Sequence, residues 1–230
     1  VNGPTLNTSS LHHAIIRHFV DRGCAPTVDQ LSTAFAQPRN VVVSRLHDLQ
    51  EDHGVVLHPT SSEVWVAHPF ASAPTNFWVR GARGGWWANC AWCALGVAAL
   101  VSMDVSVTTV LGGEHEQVTL AITSGRLADD RFVVHFPVPM RSAWDNVIFT
   151  CSTMLLFASA AAVDEWSRRH QLPRGDVRPV ALVWELARVW YGRHLDADWK
   201  KWTAAEARAI FDRFGLAGPI WDIPPVDDRF

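Results

Sequence analysis

Lysine is nearly missing from this chain: only Lys200 and Lys201 occur, so almost all positive charge is arginine. Twenty basic residues face 23 acidic ones, a net charge of −3. Bulk electrostatics therefore gives no reason to expect a nucleic-acid partner. Cysteine is scarce as well, and four in 230 residues exclude a disulfide scaffold. The N-terminus lacks a basic region followed by an apolar core, so no secretory signal is read. Those two absences lead to the expectation of a cytoplasmic protein with reduced thiols. Long apolar runs are also lacking. The longest uncharged stretch, 146–163, is near the lower limit of roughly 17 residues for a membrane span. Asn146, Thr150, Ser152, Thr153 and Ser159 interrupt it, so a strand and a helix buried in a core are expected, and no membrane. There is no internal repeat and no low-complexity segment.

What is present is ordinary for a globular protein: 48% hydrophobic and 19% charged residues. A chain of this length buries a sizeable core in one or two domains. Leu11, Ile15 and Phe19 mark one helical face ending at Gly23. Thr27 with Gln30 forms a capping box, which starts a helix carrying Leu31, Ala34 and Phe35 until Pro38 breaks it. A third helix carries Val42, Leu46 and Leu49. Val55–Leu57 and Val64–Val66 flank a turn and read as a β-hairpin. Three helices and a hairpin make a winged helix-turn-helix. Its third helix offers only Arg39 and Arg45 against Asp48, Glu51 and Asp52, so a packing module is favoured over a DNA reader. Residues 67–80 contain two prolines and read as an irregular linker whose Phe70, Phe77 and Trp78 pack on the next unit. The expected division is 1–80, winged helix with linker, and 81–230, a mixed α/β domain with a C-terminal helical extension.

In the second part, Gly81 to Gly85 reads as a hinge before a helix over 91–101. Strands are expected at 105–111, 117–123 and 132–136. Ser159 caps a helix to His170, Pro173 and Gly175 break the chain, and 180–194 is helical. Thr203 with Glu206 is another capping box, starting a helix through Phe214. The tail, with Asp227-Asp228-Arg229, reads as irregular and solvated.

Chemistry concentrates in Trp86-Trp87-Ala88-Asn89-Cys90-Ala91-Trp92-Cys93-Ala94-Leu95-Gly96. Cys90 and Cys93 share one helix face at an i, i+3 spacing. At a helix N-terminus, unpaired amides favour the thiolate, the ligand soft metals select. Trp86, Trp87 and Trp92 are placed to shield such a site. Cys151, in another apolar run, is the third candidate. A lone C-x-x-C supports several readings. A structural zinc site needs four ligands and only one pair is present. A thioredoxin-like motif needs a βαβ setting. Free cysteines are also common core fillers. The histidines are scattered: His12-His13 is expected to face solvent, His115 to lie in a turn and His135 in the core. None has ligand spacing to the cysteines. Cys24, after Gly23, reads as structural.

A resemblance narrows these readings. Trp87-Ala88-Asn89-Cys90-Ala91-Trp92-Cys93-Ala94-Leu95 resembles the active-site segment of alkylmercury lyases, Tyr/Trp-Ala-x-Cys-Ala-x-Asp-x-Leu. Cys151 precedes Phe157-Ala158-Ser159 as the second cysteine does in that family. Asp164-Glu165-Trp166-Ser167-x-x-His170-Gln171 and Arg193-His194-Leu195 resemble its later segments. The likeness spans roughly residues 10–195, N-terminal winged helix included, and leaves out the chain from Lys200 on. It implies an α+β fold, a winged helix followed by an alkylmercury-lyase-like domain. It implies Cys90 and Cys151 as mercury ligands, and it puts Cys93 where the family has an Asp that relays the proton to the leaving carbon. A second register makes Cys93 the ligand and puts Gly96 in the Asp place; the first is preferred because it aligns Val118-Thr119-Leu120 without a gap.

The expected function is cleavage of carbon–mercury bonds by protonolysis, with Cys90, Cys93 and Cys151 as catalytic and metal-binding residues. The alternatives are a non-enzymatic Cu, Hg or Zn thiolate site, or an enzyme on the same scaffold acting on another small electrophile. No cofactor is required. The partner is a small organometallic or a metal ion, Hg(II) or another soft metal.

Overall fold

The protein is described by a computed structural model covering residues 5–114 and 116–224; His115 and the Asp227-Asp228-Arg229 tail lie outside the described residues. Helix α1 (Thr8–Arg22) is capped by Asn7, whose side chain accepts from the Ser10 amide at 2.8 Å. It ends at Gly23, whose φ of +76° suits glycine. Helix α2 (Val28–Phe35) starts at the Thr27–Gln30 capping box, and α3 (Arg39–Glu51) follows Pro38. Leu11, Ile15, Phe19, Leu31, Val42 and Leu46 form the core between them.

An eight-stranded antiparallel sheet continues from this helical cluster in the order β1-β2-β3-β5-β4-β6-β7-β8. Its strands are β1 (Val56–Leu57), β2 (Val64–Ala67), β3 (Phe70–Ala71), β4 (Phe77–Gly81), β5 (Gly84–Ala88), β6 (Val105–Val110), β7 (Gln117–Thr123) and β8 (Arg126–Leu127). Residues 67–80, expected to be irregular, therefore contribute β3 and most of β4. Their prolines, Pro69 and Pro74, fall between strands, where no ladder donor is needed. The glycine hinge is a hairpin turn: Gly81 pairs with Gly84 around Ala82-Arg83.

Strand β5 runs through Asn89 and Cys90 into α4 (Ala91–Val101), which is buried on nearly every side. Ala91, Ala94, Gly96 and Ala98 keep α4 slim enough for α7 (Val180–Tyr191) to lie along it. A Cβ on Gly96 stands 2.3 Å from the Tyr191 ring. Gly96→Ala is therefore expected to destabilise the protein by about 1–3 kcal/mol through overpacking, measured as a lower midpoint in urea unfolding.

A second sheet has the order β10-β9-β11: β9 (Val133–Phe136) between β10 (Leu156–Phe157) and β11 (Asp176–Pro179). Strand β11 occupies the stretch after Pro173 where a chain break was expected, because those four residues pair fully with β9. The uncharged run 146–163 is α5 (Val147–Thr153), β10 and the start of α6 (Ala160–His170), which Ser159 caps. No described helix is long and apolar enough to cross a membrane. Helix α7 stops at Tyr191, short of 194, and α8 (Ala204–Arg213) starts from the Thr203–Glu206 capping box.

Candidate metal centre

Three of the four cysteines converge. Cys90 is the N-cap of α4, in extended backbone, and its Sγ accepts the Cys93 amide at 3.3 Å. Sulfur thus does what a serine or aspartate oxygen usually does at this position. Cys93 follows one turn later on the same face. Cys151 arrives on α5, whose N-cap Asn146 accepts from the Phe149 amide. The two elements are tied together next to the thiols. The Met154 carbonyl accepts the Ala91 amide at 3.0 Å, and Met154 Sδ lies 3.5 Å from Cys90 Sγ. All three cysteines are buried, and each is a free thiol.

A histidine that the sequence reading passed over completes the cluster. His68, in the connection between β2 and β3, places Nε2 3.6 Å from Cys151 Sγ. The donor atoms of His68, Cys93 and Cys151 all lie within 4.8 Å of one another. The Asn89 amide is 3.2 Å from the same Nε2, and Trp144 packs edge-on to the ring. Tyr191, the last residue of α7, brings its hydroxyl to 3.5 Å from Cys93 Sγ.

These groups enclose a cavity of about 90 Å³. Of the tryptophans expected to shield the site, only Trp92 lines it. The Trp86 indole donates to the Phe19 carbonyl and Trp87 packs on Trp78, because strand β5 carries them onto the sheet, ahead of the helix turn. The other aromatic walls are Trp144, Trp190, Trp199 and Trp202, from distant parts of the chain. His12, expected in solvent, is 1% exposed and stacks on Trp199 at 3.7 Å, since the segment after α7 folds back over α1. His194 packs against both rings. Nδ1 of His12 and of His194 has no hydrogen-bond partner among the described residues. His135 is a core histidine, its Nε2 2.8 Å from the Arg174 carbonyl. Cys24 is exposed and does not line the cavity.

Charge distribution within the thiol cluster departs from expectation. Burial raises the Cys90 thiol well above its ordinary value and outweighs the helix N-terminus. Cys151 is raised by its hydrogen bonds to Cys90 and Cys93, and further by burial. Burial works against the Cys93 thiolate too, yet hydrogen bonds from Cys151 and Cys90, electrostatic interaction with the His68 imidazole and the Tyr191 hydroxyl bring this thiol well below its usual range. Of the three thiols, Cys93, the sulfur with the most donors around it, thus gives up its proton most readily, and Cys90 and Cys151 hold theirs more tightly. Burial lowers His68 and, with it, His12.

The same burial, with His68 nearby, takes His194 down to about 3. The unfolded chain binds this proton near pH 6.5 and the folded chain does not, so stability is complete above about 6.5 and is lost as pH falls towards 3. Urea midpoints measured across that window are expected to fall with acid in the parent, and less steeply in His194→Phe.

The family model described as MerB, alkylmercury lyase, matches residues 70–192, more than half of the chain. This chain belongs to the alkylmercury lyase family. The match begins at Phe70, two residues after His68, runs through all three buried cysteines and ends just after Tyr191. Among solved structures, the crystal structure of the mercury-bound form of MerB2 superposes with a TM-score of 0.66 at 17% identity, covering 80% of this chain and 91% of that one. At that identity the likeness establishes a shared mixed α/β fold. No curated protein matches the chain.

Proposed function

We propose that this protein cleaves carbon–mercury bonds by protonolysis, with Cys90 and Cys151 taking the metal and Cys93 standing in for the family Asp. The observation that carries the reading is the convergence of Cys90, Cys93 and Cys151 in one buried cavity of an alkylmercury-lyase-family chain. In the reaction, Cys90 and Cys151 each form an S–Hg bond and displace the exogenous ligand X⁻ from R–Hg–X. One of their two protons goes to carbon as the C–Hg bond breaks, giving R–H. The other goes to the Cys93 thiolate, so charge balances: one anion enters as thiolate and one leaves as X⁻. Cys93 then returns its proton to solvent. An anion at position 93 is what an Asp supplies there, and the low proton affinity of Cys93 agrees with that role. The aromatic walls exclude water from the developing carbanion and accept a hydrocarbon R group.

A second reading, soft-metal binding without cleavage, is favoured by the donor cluster of Cys93, Cys151 and His68. We further read α1–α3 with β1–β2 as a winged-helix module that serves packing, with 1–80 and 81–230 as the two units of the chain, and the reduced thiols as fitting the cytoplasm. The deciding experiment is headspace detection of methane or benzene from methyl- or phenylmercury with excess thiol. Multiple-turnover release is expected; mercury uptake with no hydrocarbon at any thiol excess selects the binding reading.

A further inference from the structure

The donor set that the geometry groups most closely differs from the cleavage pair: it joins Cys151 to Cys93 and His68, leaving Cys90 out. A zinc ion about 2.3 Å from sulfur and about 2.0–2.1 Å from imidazole nitrogen, in tetrahedral geometry, sets those two donors about 3.5 Å apart and two sulfurs about 3.8 Å apart. His68 Nε2 stands 3.6 Å from Cys151 Sγ, and no pair in the set exceeds 4.8 Å. The Asn89 amide, 3.2 Å from His68 Nε2, favours the tautomer in which Nε2 is the unprotonated nitrogen, and a metal takes that lone pair by displacing this one hydrogen bond. One turn of α4 fixes Cys93, the Met154–Ala91 bond fixes the end of α5, and Trp144 packs against the imidazole. The set is thus preorganised from three separate elements.

We propose that Cys93, Cys151 and His68 form a Cys2His site for zinc in the absence of organomercurial. The fourth position faces the cavity, which leaves it open to water or an external thiol. The site shares Cys151 with the cleavage pair, so zinc and organomercurial exclude each other. Zinc holds Cys151 and Cys93 in reserve, and the more thiophilic mercury displaces it. This inference rests on the lyase reading for its consequence, inhibition, but the zinc site itself does not.

The test is zinc K-edge absorption on the reduced full-length chain loaded with one equivalent of zinc and no mercury present. A shell of two sulfurs with nitrogen and oxygen is expected, and an all-sulfur shell, or no stoichiometric zinc, overturns the proposal. His68→Gln is expected to weaken zinc binding roughly 100-fold, one donor's share of the binding energy of a four-ligand zinc site, with Cys24→Ser unchanged. Unaltered affinity in a folded His68→Gln protein overturns it too. Should that variant fail to fold, the absorption spectrum of the parent decides. Hydrocarbon release is assayed separately, so loss of the lyase reading and loss of the zinc site give different results. If both hold, zinc slows release from phenylmercury competitively and a chelator restores it.

Discussion

Cys93→Ala is expected to slow single-turnover release of benzene from phenylmercury by about 10²–10⁴-fold, the usual contribution of a positioned acid–base group. Mercury uptake is expected to survive, because Cys90 and Cys151 remain. The argument is electrostatic. Two protonated thiols cannot both become metal thiolates unless a proton is taken up nearby, and Cys93 is the one thiol of the three whose surroundings favour the thiolate. Cys93→Asp restores an anion at that position, one turn into α4, within reach of the Tyr191 hydroxyl. It is expected to recover cleavage and to speed multiple turnover, since a carboxylate grips Hg(II) less strongly than a thiolate. Single-turnover and steady-state rates measured side by side separate the two effects. Equal single-turnover rates in parent and Cys93→Ala remove Cys93 from the mechanism.

Loss of either cleavage thiol has the other large effect. Cys90→Ser and Cys151→Ser are each expected to lower hydrocarbon release at least about 10³-fold, as removal of one member of a cooperating nucleophilic group does. A hydroxyl is a poor ligand for a soft cation, and it leaves one sulfur to hold the metal. Both sites are buried, so each hydroxyl also costs about 1–3 kcal/mol where it finds no partner. Thermal unfolding of both variants, beside Cys24→Ser, separates that loss from the chemical one. Retained cleavage in Cys90→Ser with none in Cys93→Ser moves the ligand pair to Cys93 and Cys151. That is the register in which Gly96 takes the Asp place, and there the Tyr191 ring already fills the space a side chain at 96 needs.

Local signals in the sequence were the reliable ones. The capping boxes at Thr27 and Thr203 start α2 and α8 where the residues predict, Gly23 ends α1, and Ser159 starts α6. Each rests on bonds within one turn of chain, so the residues alone carry the information. Strands β3 and β11 were illegible for the opposite reason. They are short, proline-flanked and stabilised by partners on β2, β5 and β9 that no local pattern reveals.

The candidate centre divides the same way. Its thiols were legible, since Cys90 and Cys93 are covalently one helical turn apart and the motif around them resembles the family's. That the chain is an alkylmercury-lyase-family member was determined by sequence alone. Only the tertiary structure decided that His68 stands beside Cys151, that His12 and His194 turn inward, and that Trp144 and Trp199 close the cavity. Sequence spacing prescribes contacts only within a helix turn or a strand pair. Residues brought together from a β-connection, two helices and the segment after α7 meet through packing of the whole core, and the donors gathered there, more than the helix terminus, decide which thiol is lowered.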